Sequence, residues 1–324
     1  MSDFDLDTCV PVARRLTETA ARACTPWIGE ADKEAADAAA VDALRTVLAG
    51  ASIRGQIVIG EGEKDDAPYL APGSTVGAAT TPEVDVAVDP LEGTRLVAEA
   101  RPGALSVLAL APAGSMMPLG RAFYMEKLIG PALVDAGLDL DASPAQVVEA
   151  VAEAQQIPVS EVRVAVQERP RHAELVASIR EAGAQVHLFG EGDLSFALLA
   201  LRERGDGDAR TREAAVPIDL LWGIGGAPEG MLAAAAQRVL GGAMRLRLAP
   251  RSEEERARLR NDAALPDVLG QIFQAHDLVR TDTVVMALTG VTDGPLLDGI
   301  HETEHSETLL LTPHNGAQRR SAAS

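Results

Sequence analysis

Residues 162–189 read VRVAVQERPRHAELVASIREAGAQVHLF. Residues 162–166 form a short β-branched run, 172–182 place apolar side chains at helical spacing, and 185–189 form a second apolar run just after a glycine. Strand, helix and strand in so short a span make a crossover unit, which joins two parallel strands. Both strands of such a unit end at the same edge of the sheet, where the loops that follow converge on a shared crevice. Those loops are RPRH, residues 169–172, and EGD, residues 191–193. The fold class expected is therefore α/β, built in layers.

Working outward, residues 194–203 read as a helix, GDGDARTRE (205–213) as a polar loop, 218–222 as a strand and 228–240 as an Ala-rich helix. Residues 251–261 are charged, with Glu four places before Arg, and read as a solvated helix face. Strands follow at 283–288 and 308–311, and residues 318–324, small and polar, are expected to fray. Upstream, helices are expected over 7–27 and 32–48, strands over 56–59, 84–88 and 105–110, and a helix over 144–155 after a turn-rich stretch. A boundary in that stretch divides the chain into lobes 1–150 and 151–324.

Composition narrows the partners. With 29 basic against 48 acidic residues the net charge is −19, the wrong sign for gripping a phosphate backbone, so nucleic-acid binding is not expected. An anionic substrate then requires local arginines, lysines or divalent metal ions to reverse the field. Aromatic residues make up 3%, so the cores must be built from Ala, Val, Leu and Ile. No apolar run is long enough to span a membrane, and the acidic N-terminus lacks the pattern of a secretory signal. Cys9 and Cys24 have no metal-binding or redox spacing. A cytoplasmic location and inert thiols are the expectation.

Chemistry collects in a few segments. GEGEKDD, residues 60–66, follows an apolar strand and crowds four carboxylates, which repel one another unless water or a cation intervenes. DVAVDPLEGT, residues 85–94, carries a strand into a Pro-directed turn, where Asp89 and Glu92 offer the hard oxygens that Mg²⁺ or Mn²⁺ prefers. Gly93 and Thr94 add N–H and hydroxyl donors suited to a phosphate or a water. Lys33 and Asp37 lie four residues apart, on one helical face. GIGGAPEG, residues 223–230, sits between a strand and a helix, where backbone N–H groups suit an anion, although it has no P-loop Lys. Arg169 and Arg171 suit a phosphate by charge-assisted hydrogen bonds, and Asp193 suits sugar hydroxyls. The six histidines show no zinc spacing, and no Ser or Cys nucleophile motif is present.

GEGEKDDAP, DVAVDPLEGTRL, YMEKL, RPRH, EGD and DLLWGIGGAPEG, in this order and spacing, resemble the class II fructose-1,6-bisphosphatases, a bacterial branch of the metal-dependent, lithium-sensitive sugar and inositol phosphatases. The resemblance spans nearly the whole chain. It implies an αβαβα sandwich with two lobes, the first metal-binding and the second sugar-phosphate-binding. The implied enzyme is a homo-oligomer, dimer or tetramer, hydrolysing fructose 1,6-bisphosphate to fructose 6-phosphate with two or more Mg²⁺ or Mn²⁺ ions.

Implied metal ligands are Asp37, Glu61, Asp89, Glu92 and Glu229. Implied catalytic groups are Lys33 near the reacting phosphate, with Asp65 and Thr94 positioning or deprotonating water. Implied substrate contacts are Glu92, Gly93, Thr94, Tyr124, Arg169, Pro170, Arg171, Glu191, Gly192, Asp193 and Gly226. The family usually has Lys-Pro-Arg and Asp-Gly-Asp where this chain has Arg169 and Glu191, which bears on phosphate geometry and sugar choice. The alternatives are a dual fructose-1,6-/sedoheptulose-1,7-bisphosphatase, an inositol monophosphatase and a noncatalytic sugar-phosphate sensor.

Overall fold

A computed structural model describes residues 4–60, 70–120, 122–202, 217–262, 268–301, 306–313 and 316–322. The chain opens with α1 (Leu6–Cys24), α2 (Lys33–Ala49), β1 (Arg54–Ile59), β2 (Thr75–Val76), β3 (Glu83–Glu92), α3 (Thr94–Ala98) and β4 (Leu105–Pro112). The middle holds β5 (Tyr124–Gly130), α4 (Pro144–Gln155), β6 (Arg163–Gln167), α5 (Ala173–Glu181), β7 (Gln185–Phe189), α6 (Asp193–Ala200) and β8 (Leu220–Gly226). Then come α7 (Ala227–Leu240), β9 (Ala243–Leu248), α8 (Glu253–Arg260), α9 (Ala275–Leu278), β10 (Val285–Gly290), β11 (Ser306–Thr312) and β12 (Gly316–Ala322). Helices layered on two mixed sheets give the expected α/β class.

Two compact units result. One takes the described residues up to Pro118 and again from Val279 onward, and the other those from Leu119 to Leu278. The described chain thus passes from one unit to the other between Pro118 and Leu119 and returns between Leu278 and Val279. The chain leaves the first unit after β4 and returns with β10, which pairs antiparallel with β4 from Val285↔Leu110 to Gly290↔Leu105.

The first unit is a seven-stranded sheet in the order β12-β11-β10-β4-β3-β1-β2. β1 and β3 run parallel, and the other pairs are antiparallel. Asp5 caps α1 by accepting the Asp7 N–H at 3.1 Å, and Asp32 caps α2 by accepting the Ala35 N–H at 2.9 Å. The two helices cover one sheet face, burying Leu16 and Leu44 against Ile57, Val86, Leu108 and Val285, with Ala13, Ala20, Ala36 and Ala40 allowing close approach. Within that core the Thr289 hydroxyl donates to Thr17 at 2.8 Å and shares a 2.9 Å bond with Thr308, so three buried hydroxyls satisfy one another. Cys9 and Cys24 are unpaired and buried, and desolvation pushes both thiols up to about 12.

The second unit is a five-stranded sheet in the order β7-β6-β8-β5-β9. The crossover is as the sequence predicts: β6 and β7 are parallel, from Arg163↔Gln185 to Gln167↔Phe189. Ser143 and Gln146 form a capping box on α4, which packs Val147 and Val151 with Ile179 of α5 against Val164, Leu220 and Trp222. α6 and α7 pack on β8 and on each other.

Four strands were not expected: the two-residue β2, and β5, β9 and β12. Residues up to Ala322, expected to fray, instead pair with β11 from Ser306↔Ala322 to Thr312↔Gly316. The β11 edge supplies the backbone partners that hold them. Residues 205–213, expected as a polar loop, lie outside the described residues.

Candidate functional site

In the first unit β1 and β3, the parallel pair, lead into segments that hold candidate residues. Ile59, the last residue of β1, pairs with Ala87 of β3, two residues before Asp89. Glu61 and Asp65 themselves lie outside the described residues. The β3–β4 register breaks between Asp89 and Glu92, and Asp89 Oδ1 accepts the Leu91 N–H at 3.1 Å across the turn. This irregularity takes the turn out of regular pairing. Glu92 is buried at 5% exposure. Gly93 takes φ 85°, a left-handed conformation that favours glycine, and Thr94 begins α3.

α2 packs against β3 and α3, the elements on either side of this turn. Lys33 is the first residue of α2; it is half exposed and pairs with Glu34 at 3.5 Å. Asp37, one turn on and partly buried, is close enough to Cys24 to add to the upward push on that thiol. Among the described residues, no three His, Cys, Asp or Glu side chains gather into a group able to hold a metal ion. The carboxylates Asp37, Asp89 and Glu92 are nonetheless hard oxygen donors, the type a divalent cation of the Mg²⁺ or Mn²⁺ kind takes.

In the second unit the loops after β6, β7 and β8 converge with the start of β5. Arg171 donates to the Ile224 carbonyl from Nε at 3.0 Å and Nη2 at 2.6 Å, and to Gln167 Oε1 at 2.9 Å. Its guanidinium stands 5.9 Å from the centre of the Tyr124 ring. Burial, then the charges of Arg251 and Arg169, hold Arg171 below its ordinary value. Arg169 lies 3.9 Å from Glu191, so the two departures from the family pattern form one loose ion pair. Pro170 opens the 3-10 turn Pro170–His172, and Gly192, at φ 87°, precedes Asp193 at the start of α6.

Three residues that motif reading did not single out hold this arrangement. Lys127 on β5, 2% exposed, donates to Asp193 Oδ2 at 2.5 Å and to the Gly226 carbonyl at 2.8 Å. A lone lysine in the apolar run around it was the available signal. His172 Nδ1 lies 2.7 Å from the Gln167 carbonyl, and its Nε2 lies 2.8 Å from the Ile224 N–H. A carbonyl on one side and an N–H on the other select the neutral ring protonated at Nδ1. Burial accordingly pushes its pKa down. The third residue is Arg251, whose guanidinium stands 5.5 Å from the Tyr124 ring centre.

Glu229, in the first turn of α7, has a buried Oε2 without a hydrogen-bond partner among the described residues. Burial and the Asp193 carboxylate raise its pKa, with Lys127 acting the other way. A β-carbon at Gly226 would stand 1.9 Å from that oxygen, so a larger residue there would have to displace the Glu229 carboxylate. Tyr124, Arg169, Arg171, Glu191, Asp193, Gly226 and Glu229 thus belong to one unit, as do Lys33, Asp37, Asp89, Glu92, Gly93 and Thr94 to the other.

Residues 9–323 match the family described as bacterial fructose-1,6-bisphosphatase, glpX-encoded. The chain belongs to this family. Curated class 2 fructose-1,6-bisphosphatases similar to it include fructose-1,6-bisphosphatase 1 class 2 of Escherichia coli K12, 37% identical over 322 residues that cover 94% of this chain and 91% of that protein. Those of Escherichia coli O6:H1 strain CFT073 and Shigella flexneri match with the same identity and coverage. The family's segments named above fall on both units of the chain.

Proposed function

We propose that this class 2 fructose-1,6-bisphosphatase family member hydrolyses the 1-phosphate of fructose 1,6-bisphosphate, giving fructose 6-phosphate and inorganic phosphate. The observation that carries this reading is the family match over residues 9–323, which takes in every chemistry-bearing segment of both units. The arginines beside Tyr124 support it from the second unit, because a monophosphate has no second anionic end to occupy them.

A hard divalent cation fits the donors present. In the first unit Asp37, Asp89 and Glu92 would hold it, with Glu61 from the segment outside the described residues. In the second, the orphaned buried oxygen of Glu229 is the kind of acceptor that a cation satisfies. When bound, Mg²⁺ or Mn²⁺ supplies Lewis-acid charge neutralisation for phosphoryl transfer to water.

The chain's own residues do the remainder. Lys33 offsets charge on the reacting phosphate, Thr94 orients water with its hydroxyl, and Asp65 takes a proton from it. Gly93 and Gly226 let the main chain approach the sugar phosphate. Asp193, held by Lys127, accepts from sugar hydroxyls. Arg169 and Arg171 hold the distal phosphate. The enzyme works in the cytoplasm as a homo-oligomer.

Asp89→Ala should abolish phosphate release from fructose 1,6-bisphosphate while its circular dichroism and melting match the parent. Full turnover in that variant would refute the role of the β3 turn.

A further inference from the structure

Of the edges that the two sheets leave, one carries no Asp, Glu, Lys or Arg. β2 is two residues long, β9 holds Arg245 and Arg247 and takes a bridge from Phe273 at Leu246, and β12 reads GAQRRSA. Short length and charged side chains are what keep a strand edge from pairing with another chain. β7, at the remaining edge, reads QVHLF, and its Leu188 is one of two large apolar side chains exposed among the described residues, at 39%. Among those residues no strand lies on its outer side.

The backbone of β7 fixes what that edge can accept. The Gln185 N–H donates to the Val162 carbonyl at 2.8 Å, and the Phe189 carbonyl accepts from the Glu168 N–H at 2.7 Å. Residues 185, 187 and 189 therefore turn their main-chain groups inward to β6, and by alternation Val186 and Leu188 turn theirs outward. The side chains follow the same period. Phe189 and His187 lie against Phe196 of α6, with ring centres 4.3 and 5.1 Å away, whereas Leu188 lines a cavity of about 330 Å³ with Ala173 and Val176 of α5. An antiparallel copy of the same strand, set about a two-fold axis at residue 187, answers both rows. Val186 then faces the partner subunit's Leu188 and exchanges both backbone hydrogen bonds with it, and the axis repeats the exchange. Charge agrees with this direction. Arg163 donates to Gln185 Oε1 at 2.8 Å at one end of β7, and the exposed Glu168 is bonded at the other, where Arg169 is offset by Glu191 at 3.9 Å. The antiparallel pair sets the basic end of one copy against the acidic end of the other.

We infer that the β7 edge is the surface through which two copies of this chain associate, joining their five-stranded sheets by antiparallel pairing centred on His187. This rests on the homo-oligomer reading for the existence of an assembly, and on the strand edge for where and in what register it forms.

Light scattering after size-exclusion chromatography measures the mass of the parent and of Leu188→Lys, with circular dichroism and melting compared between them. Leu188→Lys should show half the parent mass and an unchanged fold, since the added charge stands on the outward row. Register is read by disulfide cross-linking of His187→Cys. A non-hydrogen-bonded antiparallel pair holds its Cα atoms about 4.5 Å apart, inside the range a disulfide spans, and the chain's own Cys9 and Cys24 are buried. Mild oxidation should convert most of His187→Cys to a covalent dimer on denaturing, non-reducing electrophoresis. Val186→Cys, which faces the partner subunit's Leu188 and not its own counterpart, should cross-link no more than the parent. With an oligomeric parent, parent mass in folded Leu188→Lys or no covalent dimer in His187→Cys overturns the inference and leaves the homo-oligomer reading standing. A monomeric parent defeats both. Should Leu188→Lys fail to fold, the cross-link alone decides.

Discussion

Lys127 is a buried cation whose removal strands a buried anion. Lys127→Met leaves Asp193, 8% exposed, without its partner at 2.5 Å, and breaking such a pair costs about 3–5 kcal/mol. Urea denaturation should report that loss, and Lys127→Met with Asp193→Leu should recover part of it. No loss in the single variant would mean the pair is not buried as described. His172 gives a pH effect of fixed sign. Its folded pKa lies below the ordinary 6.5, so the unfolded chain binds the proton first and stability falls as pH drops from about 6.5 toward the folded value. Comparing melting temperatures across that window, His172→Gln should flatten the slope. A slope identical to the parent's would show that His172 titrates normally.

The elements that carry the site share one logic: strands that end together deliver loops that meet. β6, β7 and their helix were legible because a β-branched run, a helical period and a second run after glycine admit few other readings. β5 and β9 were not. Their outer faces carry Glu126, Arg245 and Arg247, and Arg247 pairs with Glu126 at 2.8 Å and Asp141 at 2.5 Å only once the strands are side by side. Cross-strand ion pairs of that kind leave a charged, turn-like sequence. β12 was hidden for a related reason, since its place depends on β11 more than on its own small polar residues. Truncation after Thr312 should expose the β11 edge, lower the melting temperature by roughly 5–10 °C and promote association. An unchanged melt and a monodisperse sample would contradict a structural role for β12.

Across the whole molecule, an acidic chain handles an anionic substrate by concentrating its compensation. Asp37, Asp89 and Glu92, carboxylates of the kind a divalent cation takes, lie in one unit, and two arginines stand at a single tyrosine in the other. The carboxylates of the β3 turn and the two arginines of RPRH were readable as candidates because each is a dense local string. Lys127, His172 and Arg251 were not, because each acts on groups far from it in sequence: Asp193, Ile224 and Tyr124. The return of the C-terminal segment to the first sheet was not legible for the same reason, as it rests on the pairing of β10 with β4. The most direct measurement is inorganic-phosphate release from fructose 1,6-bisphosphate, sedoheptulose 1,7-bisphosphate and inositol monophosphate, with Mg²⁺, Mn²⁺ or chelator. Expected is turnover of fructose 1,6-bisphosphate that chelator abolishes and added metal restores. Turnover unaffected by chelator, preference for inositol monophosphate, or binding of fructose 1,6-bisphosphate without phosphate release would contradict it.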